Sequence, residues 1–229
     1  MNVLVACEES QRVATAFREQ GHNAFSCDII PCSGGHSEYH IISDVLKIIN
    51  GNCDFQTENG EKHTIKTTWD LIIAHPPCTY LTYAANSWHK LGIKSLDEIN
   101  ERTLKRVYAM QFFMNIAMAD CEKIAIENPV GIMNTAYRKP DCMIHPYQFS
   151  EGPEDTENYV TKRTCLWLKG LSPLVPSKVI EKPNNRALFG FSSTTGKAYC
   201  WNDRITKDRA KTRSKTFPAI AAAMAKQWG

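Results

Sequence analysis

The 229-residue sequence contains no apolar run approaching the roughly 18 to 20 residues that a membrane helix requires, and no basic segment precedes its strand-like opening, MNVLVA. Those two absences argue against a helical membrane protein and against a secretory leader, and they predict a cytoplasmic chain. Its nine cysteines include no C-x-x-C pair. An odd number of scattered thiols fits neither a zinc knuckle nor an extracellular disulfide framework, so no metal is expected and most thiols should be reduced and buried. No G-x-G-x-x-G follows any strand-like segment, which removes the usual signature of a nicotinamide cofactor. Internal repeats and low-complexity segments are missing too.

What remains is the composition of an ordinary globular protein: 43% hydrophobic, 22% charged, mean hydropathy −0.36. The length suggests one domain with an elaboration. A net charge of +3 names no partner, but its distribution is uneven: the segment from Asp203 to Lys226 holds seven Lys/Arg against two Asp, leaving the rest mildly acidic. Such a run is either a solvated helix face or a phosphate-backbone contact.

Apolar segments alternate with helical periodicity along most of the chain. Val3 to Ala6 is a strand, a polar turn follows at Glu8 to Ser10, and Val13, Ala16 and Phe17 mark a helix stopped by Gly21. Asn23 to Cys27 is a second strand ending on Asp28, which completes a βαβ opening. Asn59-Gly60 within Phe55 to Lys66 predicts an inserted hairpin. Asp70 to Ala74 and Ile124 to Ile126 read as buried parallel strands. Between them lies a long helix, about Leu96 to Asp120, with apolar positions at Leu104, Val107, Tyr108, Met110, Phe112, Phe113 and Ile116. Beyond Pro129 come a short helix to Tyr137, a strand at Cys165 to Leu168, a hairpin around Ser192 to Gly196 and a closing helix from Ala219 to Trp228. The pattern predicts an α/β protein with a central, mostly parallel sheet and helices on both faces.

In such sheets ligands sit beyond the carboxyl ends of the strands. The residues at those ends are Cys7-Glu8, Asp28, His75-Pro76-Pro77-Cys78 and Glu127-Asn128-Pro129. Two prolines stiffen the loop that carries Cys78, so this thiol is either a nucleophile held in place or one more inert cysteine. Glu127, at an apolar sheet end, is either a carboxyl whose affinity for its proton is raised by burial, fit to act as an acid, or a structural ion pair or cap. Asp28 has the position of a carboxylate that grips ribose hydroxyls, or of a simple cap.

The order Ala74-His75-Pro76-Pro77-Cys78-Thr79-Tyr80-Leu81, one long helix, then Ile126-Glu127-Asn128-Pro129 resembles the DNA cytosine-5 methyltransferases, most closely the small divergent members found in phages. Thr161-Lys162-Arg163-Thr164-Cys165-Leu166-Trp167-Leu168 is similar to that family's Gln-x-Arg-x-Arg strand, with Arg163 as the one aligned arginine, and Arg213 to Trp228 sits where the family's last motif lies. The resemblance implies a Rossmann-like, S-adenosylmethionine-dependent methyltransferase fold over residues 1–229. It implies Cys78, Glu127 and Arg163 as catalytic residues, and cofactor contacts from Cys7, Glu8, Asp28, Asp44 and Pro76. It further implies DNA as partner, met by His75, Asn128, Lys197, Arg204 and Arg213. In the implied reaction the Cys78 thiolate adds to carbon 6 of a flipped cytosine, Glu127 engages ring nitrogen 3, and carbon 5 takes the methyl group.

Departures from the family are specific. Its first motif is a Phe-x-Gly-x-Gly loop, whereas here the strand runs into Ala6-Cys7-Glu8-Glu9-Ser10. His75 stands where a small residue is usual, and Pro129 follows Glu127-Asn128. Residues 169–215 leave room only for a reduced target-recognition insertion, so a protein partner supplying recognition is one expectation. Two other methyltransferase-fold readings stay open: an exocyclic amino (N4-cytosine or N6-adenine) DNA methyltransferase, for which Cys78 fits poorly, and a catalytically degenerate nucleic-acid-binding protein, suggested by the missing glycines. A Cys/His hydrolase using Cys78 and His75 is disfavoured by their closeness on one stiff loop.

Overall fold

A computed structural model describes residues 1–83, 86, 92, 94–176, 178–183, 190–191, 198–199 and 214–229. The chain opens with β1 (Asn2–Ala6), α1 (Arg12–Glu19) and β2 (Asn23–Asp28), followed by β3 (His40–Ile42) and a hairpin of β4 (Cys53–Gln56) and β5 (Lys62–Ile65). Then come β6 (Leu71–Ala74), α2 (Leu96–Ala117), β7 (Ile124–Pro129), α3 (Met133–Ala136), β8 (Cys142–Ile144) and β9 (Thr164–Lys169). A two-stranded pair, β10 (Gly190–Phe191) with β11 (Ala198–Tyr199), and α4 (Pro218–Trp228) complete the described elements.

Seven strands form one sheet in the order β3-β2-β1-β6-β7-β9-β8. The first five are parallel neighbours, and only β9 runs against β7 and β8. This is the α/β architecture with a mostly parallel sheet that the alternation of segments predicts, Rossmann-like in form, with a mixed edge that periodicity does not reveal. Strand order reverses between β1 and β6. The chain leaves β1 toward β2 on one side and returns to β6 on the other, so the loops at their carboxyl ends diverge and open a crevice.

Period-two alternation assigns the two faces. Val3, Val5, Leu71, Ile73, Ala125 and Leu166 join one buried cluster with Phe17 of α1 and Ile220, Met224 and Trp228 of α4. Leu4, Ala6, Ile72, Ala74, Ile126 and Trp167 join the other, with Phe113 and Ile116 of α2 and Phe55, Ile65 and Trp69 from the hairpin region. Each element ends for a local reason. Gly21, at φ 84°, takes the left-handed conformation that turns the chain after α1, and α2 begins on a capping box in which Ser95 and Glu98 satisfy each other's backbone amides. Pro218 sits in the first turn of α4, where its missing N–H costs nothing.

The helical pattern read for α2 needs correction. Phe113 and Ile116 are buried, but Leu104 and Val107 are each 52% exposed and Tyr108 59% exposed. Only the C-terminal half of α2 lies against the sheet, so apolar spacing there overstates the buried stripe. β3 carries too short an apolar run to be read from periodicity. No helix among the described residues is long and apolar enough to cross a membrane.

Candidate active site

Register aligns the strand ends in one row. Ala6 pairs with Cys27 on one side and Ala74 on the other, and Ala74 pairs with Ile126. Asp28, Cys7-Glu8, His75-Pro76 and Glu127-Asn128 therefore emerge side by side at the carboxyl edge. Asp28 pairs with Ile42, which places Asp44 two residues beyond the next strand end.

The Cys78 loop is fixed on three sides. His75 donates its backbone N–H to the Ala6 carbonyl at 2.9 Å, and the Asn128 side-chain amide donates to the Pro76 carbonyl at 2.7 Å. Pro76 and Asn128 are buried, whereas Pro77 and Cys78 are exposed. The Cys78 carbonyl accepts from the amides of Leu81 and Thr82, which closes a single tight turn. The turn then meets the segment after β7: Ile132 donates to the Leu81 carbonyl at 2.8 Å, and a β-carbon on Gly131 would lie 2.1 Å from that same oxygen. Glycine is needed there for close backbone approach. From α2, Arg102 and Arg106 donate to the carbonyls of Thr79 and Tyr80. A thiol is thus held exposed beyond the carboxyl end of β6 by a loop with little freedom.

Glu127 and His75 form a buried pair, Nδ1 to Oε2 at 3.0 Å, with side chains 13% and 7% exposed. Burial pushes the Glu127 carboxyl up, but the His75 hydrogen bond and the charges of Lys162 and His75 together outweigh it, and the net shift is downward. This corrects the expectation that burial raises Glu127. Strand patterning shows a carboxylate at an apolar sheet end but not the partner lying across the sheet.

Lys162 is a residue that sequence reasoning missed. Its charge acts on Glu127, and its Nζ lies 5.4 Å from the centre of the Phe217 ring. Arg163, which aligns with the family's arginine, is exposed, and its charge falls on His145 and Cys165. A basic residue one position earlier than the aligned arginine is the only sequence signal, and alignment alone discards it.

No family model matches this chain, and no curated protein matches it.

At the β1 end, the conformation differs from what a cofactor loop would give. Cys7 adopts a positive φ of 59°, and burial, with the charges of Asp28 and Asp44 and the neighbouring Cys27, pushes its thiol far up. Glu8 turns inward, and its two carboxylate oxygens accept from the amides of Val13 and Ala14 at 2.7 and 3.1 Å. Glu8 thereby satisfies α1 from outside the helix, because the residue at the cap position, Gln11, offers α1 no side-chain bond. Two of the amides that an anionic ligand would use at this helix start, those of Val13 and Ala14, are already taken. Gln11 instead clamps the following loop, exchanging two hydrogen bonds with the backbone of His36.

The β2 end suits a sugar better. One oxygen of Asp28 accepts from Ile29 and Ile30, and Oδ2 makes no hydrogen bond among the described residues. Burial, helped by the charge of Glu9, pushes this carboxyl up against the pull of those amides and of His40. Ile29 and Ile30 beside it are exposed apolar side chains. Asp44 caps the turn after β3 through the Leu46 amide. A carboxylate oxygen next to bare apolar surface fits ribose hydroxyls and a purine face, so the residues present suit the adenosine half of S-adenosylmethionine. For its charged amino-acid half the β1 loop offers less. Lys197, Arg204 and Arg213 lie outside the described residues, as does most of 169–215.

Proposed function

We propose that this chain is an S-adenosylmethionine-dependent DNA methyltransferase acting on carbon 5 of cytosine. The observation that carries the reading is the joining of Cys78 and Glu127. They leave adjacent parallel strands, and their loops are locked together by the bond from Asn128 to the Pro76 carbonyl and by the Gly131–Leu81 approach. An exposed thiol and a buried carboxylate held in fixed relation serve a reaction in which one adds to a ring and the other manages the charge that addition creates.

In this reading the Cys78 thiolate forms a bond to carbon 6, and the electron pair displaced from the 5,6 double bond makes carbon 5 nucleophilic. Glu127 engages ring nitrogen 3. S-adenosylmethionine, when bound, would supply an electrophilic methyl to carbon 5 and be left as a neutral thioether, with Asp28 to hold its ribose and Pro76 beside it. Loss of the carbon 5 proton to solvent then expels Cys78 as thiolate. Asn128 works by positioning the Cys78 loop. DNA backbone contacts are assigned to Lys197, Arg204 and Arg213, and the shortness of 169–215 favours weak sequence discrimination or a protein partner that supplies it.

The test is transfer of labelled methyl from S-adenosylmethionine to DNA, followed by digestion to nucleosides. The expected product is 5-methylcytosine, lost in Cys78→Ser and reduced at least a hundredfold in Glu127→Gln. A product of N4-methylcytosine or N6-methyladenine would instead support the exocyclic reading. Cofactor and DNA binding with no methylated base under any condition would support a degenerate binding protein.

A further inference from the structure

One stretch of the carboxyl edge takes no part in the base chemistry. β8 and β9 pair with Met143 opposite Cys165 and Ile144 opposite Thr164. His145 continues β8 in an extended conformation, φ −129° and ψ 146°, so one step further along it faces Arg163. Directly opposite residues share a face, with β-carbons about 5 Å apart. On the other side of β9, Asn128 pairs with Cys165 and Pro129 with Thr164. Alternation then separates the two basic residues that precede β9. Lys162 follows Thr164 and Leu166 to the face of Glu127, where its charge acts on that carboxyl. Arg163 follows Cys165 to the face of Asn128, the residue that ties down the Cys78 loop.

Lys182 joins this pair from the chain beyond β9. Tyr159 donates its hydroxyl to the Glu181 carbonyl at 3.0 Å, which holds that stretch against the segment before β9. The Lys182 charge, like that of Arg163, acts on His145. The cluster is electrically unbalanced. Arg163 and Lys182 are exposed, and among the described residues neither forms a hydrogen bond or an ion pair. The imidazole beside them is half-buried, with its Nδ1 enclosed and unpartnered. Burial, then the charges of Arg163 and Lys182, push its titration below the ordinary value, and no carboxylate is among the groups that act on it. Like charges gathered without a counter-charge disfavour the folded state, and a bound anion reverses that. Asp28 and Asp44 stand at the other end of the row, two strands beyond the Cys78 loop.

We propose that His145, Arg163 and Lys182 form a phosphate subsite, which takes a backbone phosphodiester of the nucleic-acid strand that carries the target base. The inference rests on the nucleic-acid substrate of the reading above and adds residues that the base chemistry does not require. Arg163 presents a planar fork of N–H donors to the phosphate oxygens, Lys182 a point charge, and the neutral imidazole one N–H. Bound phosphate cancels the two cations, so the anion that the cluster takes also strengthens the imidazole as a donor. Contacts of this kind fix the register of a strand without reading its sequence.

Two measurements on the full chain test this, with a short labelled oligothymidine as probe because it offers phosphodiesters and no cytosine. In the first, its Kd is followed against salt by fluorescence anisotropy for wild type, Arg163→Gln, Lys182→Gln and, as control, Lys62→Gln on β5, where the lysine is exposed. Arg163 and Lys182 are exposed too, so the variants fold, which circular dichroism checks. Each lost phosphate contact lowers the slope of log Kd against log salt by about 0.7 and raises Kd about five- to tenfold at ~50 mM salt. The control keeps both wild-type values. In the second, imidazole NMR follows His145, whose titration moves to higher pH with saturating oligothymidine in wild type but not when Arg163→Gln and Lys182→Gln are combined. Wild-type slopes in both charge variants overturn the subsite, as do equal losses in Lys62→Gln or a His145 titration that the oligonucleotide leaves unmoved. Methyl transfer is scored separately. The expected slopes with no 5-methylcytosine from wild type remove the cytosine reading and leave the subsite, whereas 5-methylcytosine with unchanged slopes removes the subsite and leaves the reading.

Discussion

Asn128 donates its buried side-chain amide to the carbonyl of Pro76 at 2.7 Å, joining the strand that ends in Glu127 to the loop that presents Cys78. Removing the donor leaves the Pro76 carbonyl buried and unpaired. Asn128→Ala is expected to lose about 1 to 3 kcal/mol of stability in denaturant unfolding. Asn128→Asp, of similar shape but without a donor, should be no better. Activity in both should fall further than the fraction of folded protein does, because the loop loses its tether to Glu127.

Gly131 makes a second join. A β-carbon there would sit 2.1 Å from the Leu81 carbonyl oxygen, which is backbone and cannot swing aside. Gly131→Ala must push the Cys78 turn away from β7, at about 1 to 3 kcal/mol. Gly35→Ala is the instructive contrast, since a β-carbon there meets nothing within 4 Å and the cost comes only from its φ of 85°. Thermal unfolding with a methyl-transfer assay separates them: the first variant loses activity and stability, the second mainly stability.

Glu8 has an opposite pH signature to Glu127. Burial pushes its carboxyl above its ordinary value of 4.5 despite the opposing pull of His75, the two α1 amides and Arg18. The folded state then binds more protons than the unfolded one between that value and the raised one, so stability falls as pH rises through this window. Wild-type protein should gain stability relative to Glu8→Gln as pH is lowered from 7 toward about 4.5. Glu8→Ala, which gives up both contacts to α1, should cost about 1 kcal/mol at neutral pH. Denaturant unfolding of the three proteins at several pH values checks both.

Thiol accessibility gives a third contrast. Cys78 is exposed, whereas burial pushes Cys27 up to about 12 and Cys7 further still. Thiolate is the reactive form. Limited iodoacetamide at pH 8, read by peptide mass, should modify Cys78 well before Cys7 or Cys27, and saturating DNA should slow that modification.

How much of this was legible beforehand differs by feature. β1, β6 and β7 were legible because fully buried strands are written as unbroken apolar runs, and the hairpin because Asn59-Gly60 has a backbone requirement of its own. Strand order was not, since pairing partners are far apart in sequence, and neither was the antiparallel setting of β9. Leu104, Val107 and Tyr108 carry helical spacing without burial, which periodicity cannot separate from a core stripe. At the site, Cys78 and Glu127 could be singled out by their place after buried strands. The role of Glu8 could not, because a carboxylate four residues ahead of a helix is read as a ligand contact until its bonds to Val13 and Ala14 are seen. His75 stands out in the sequence as an odd neighbour of Pro76, but its bond to Glu127 spans 52 residues and only the sheet register creates it.

The central claim is that Cys78 attacks carbon 6 of cytosine, and intact-protein mass spectrometry tests it most directly. The protein is incubated with S-adenosylmethionine and an oligonucleotide containing 5-fluorocytosine, whose fluorine blocks release of the adduct. The account predicts a covalent complex of one protein, one oligonucleotide and one methyl group, mapped to Cys78 and absent in Cys78→Ser. Wild-type protein that methylates cytosine in DNA but forms no such complex, or forms it equally in Cys78→Ser, would contradict it.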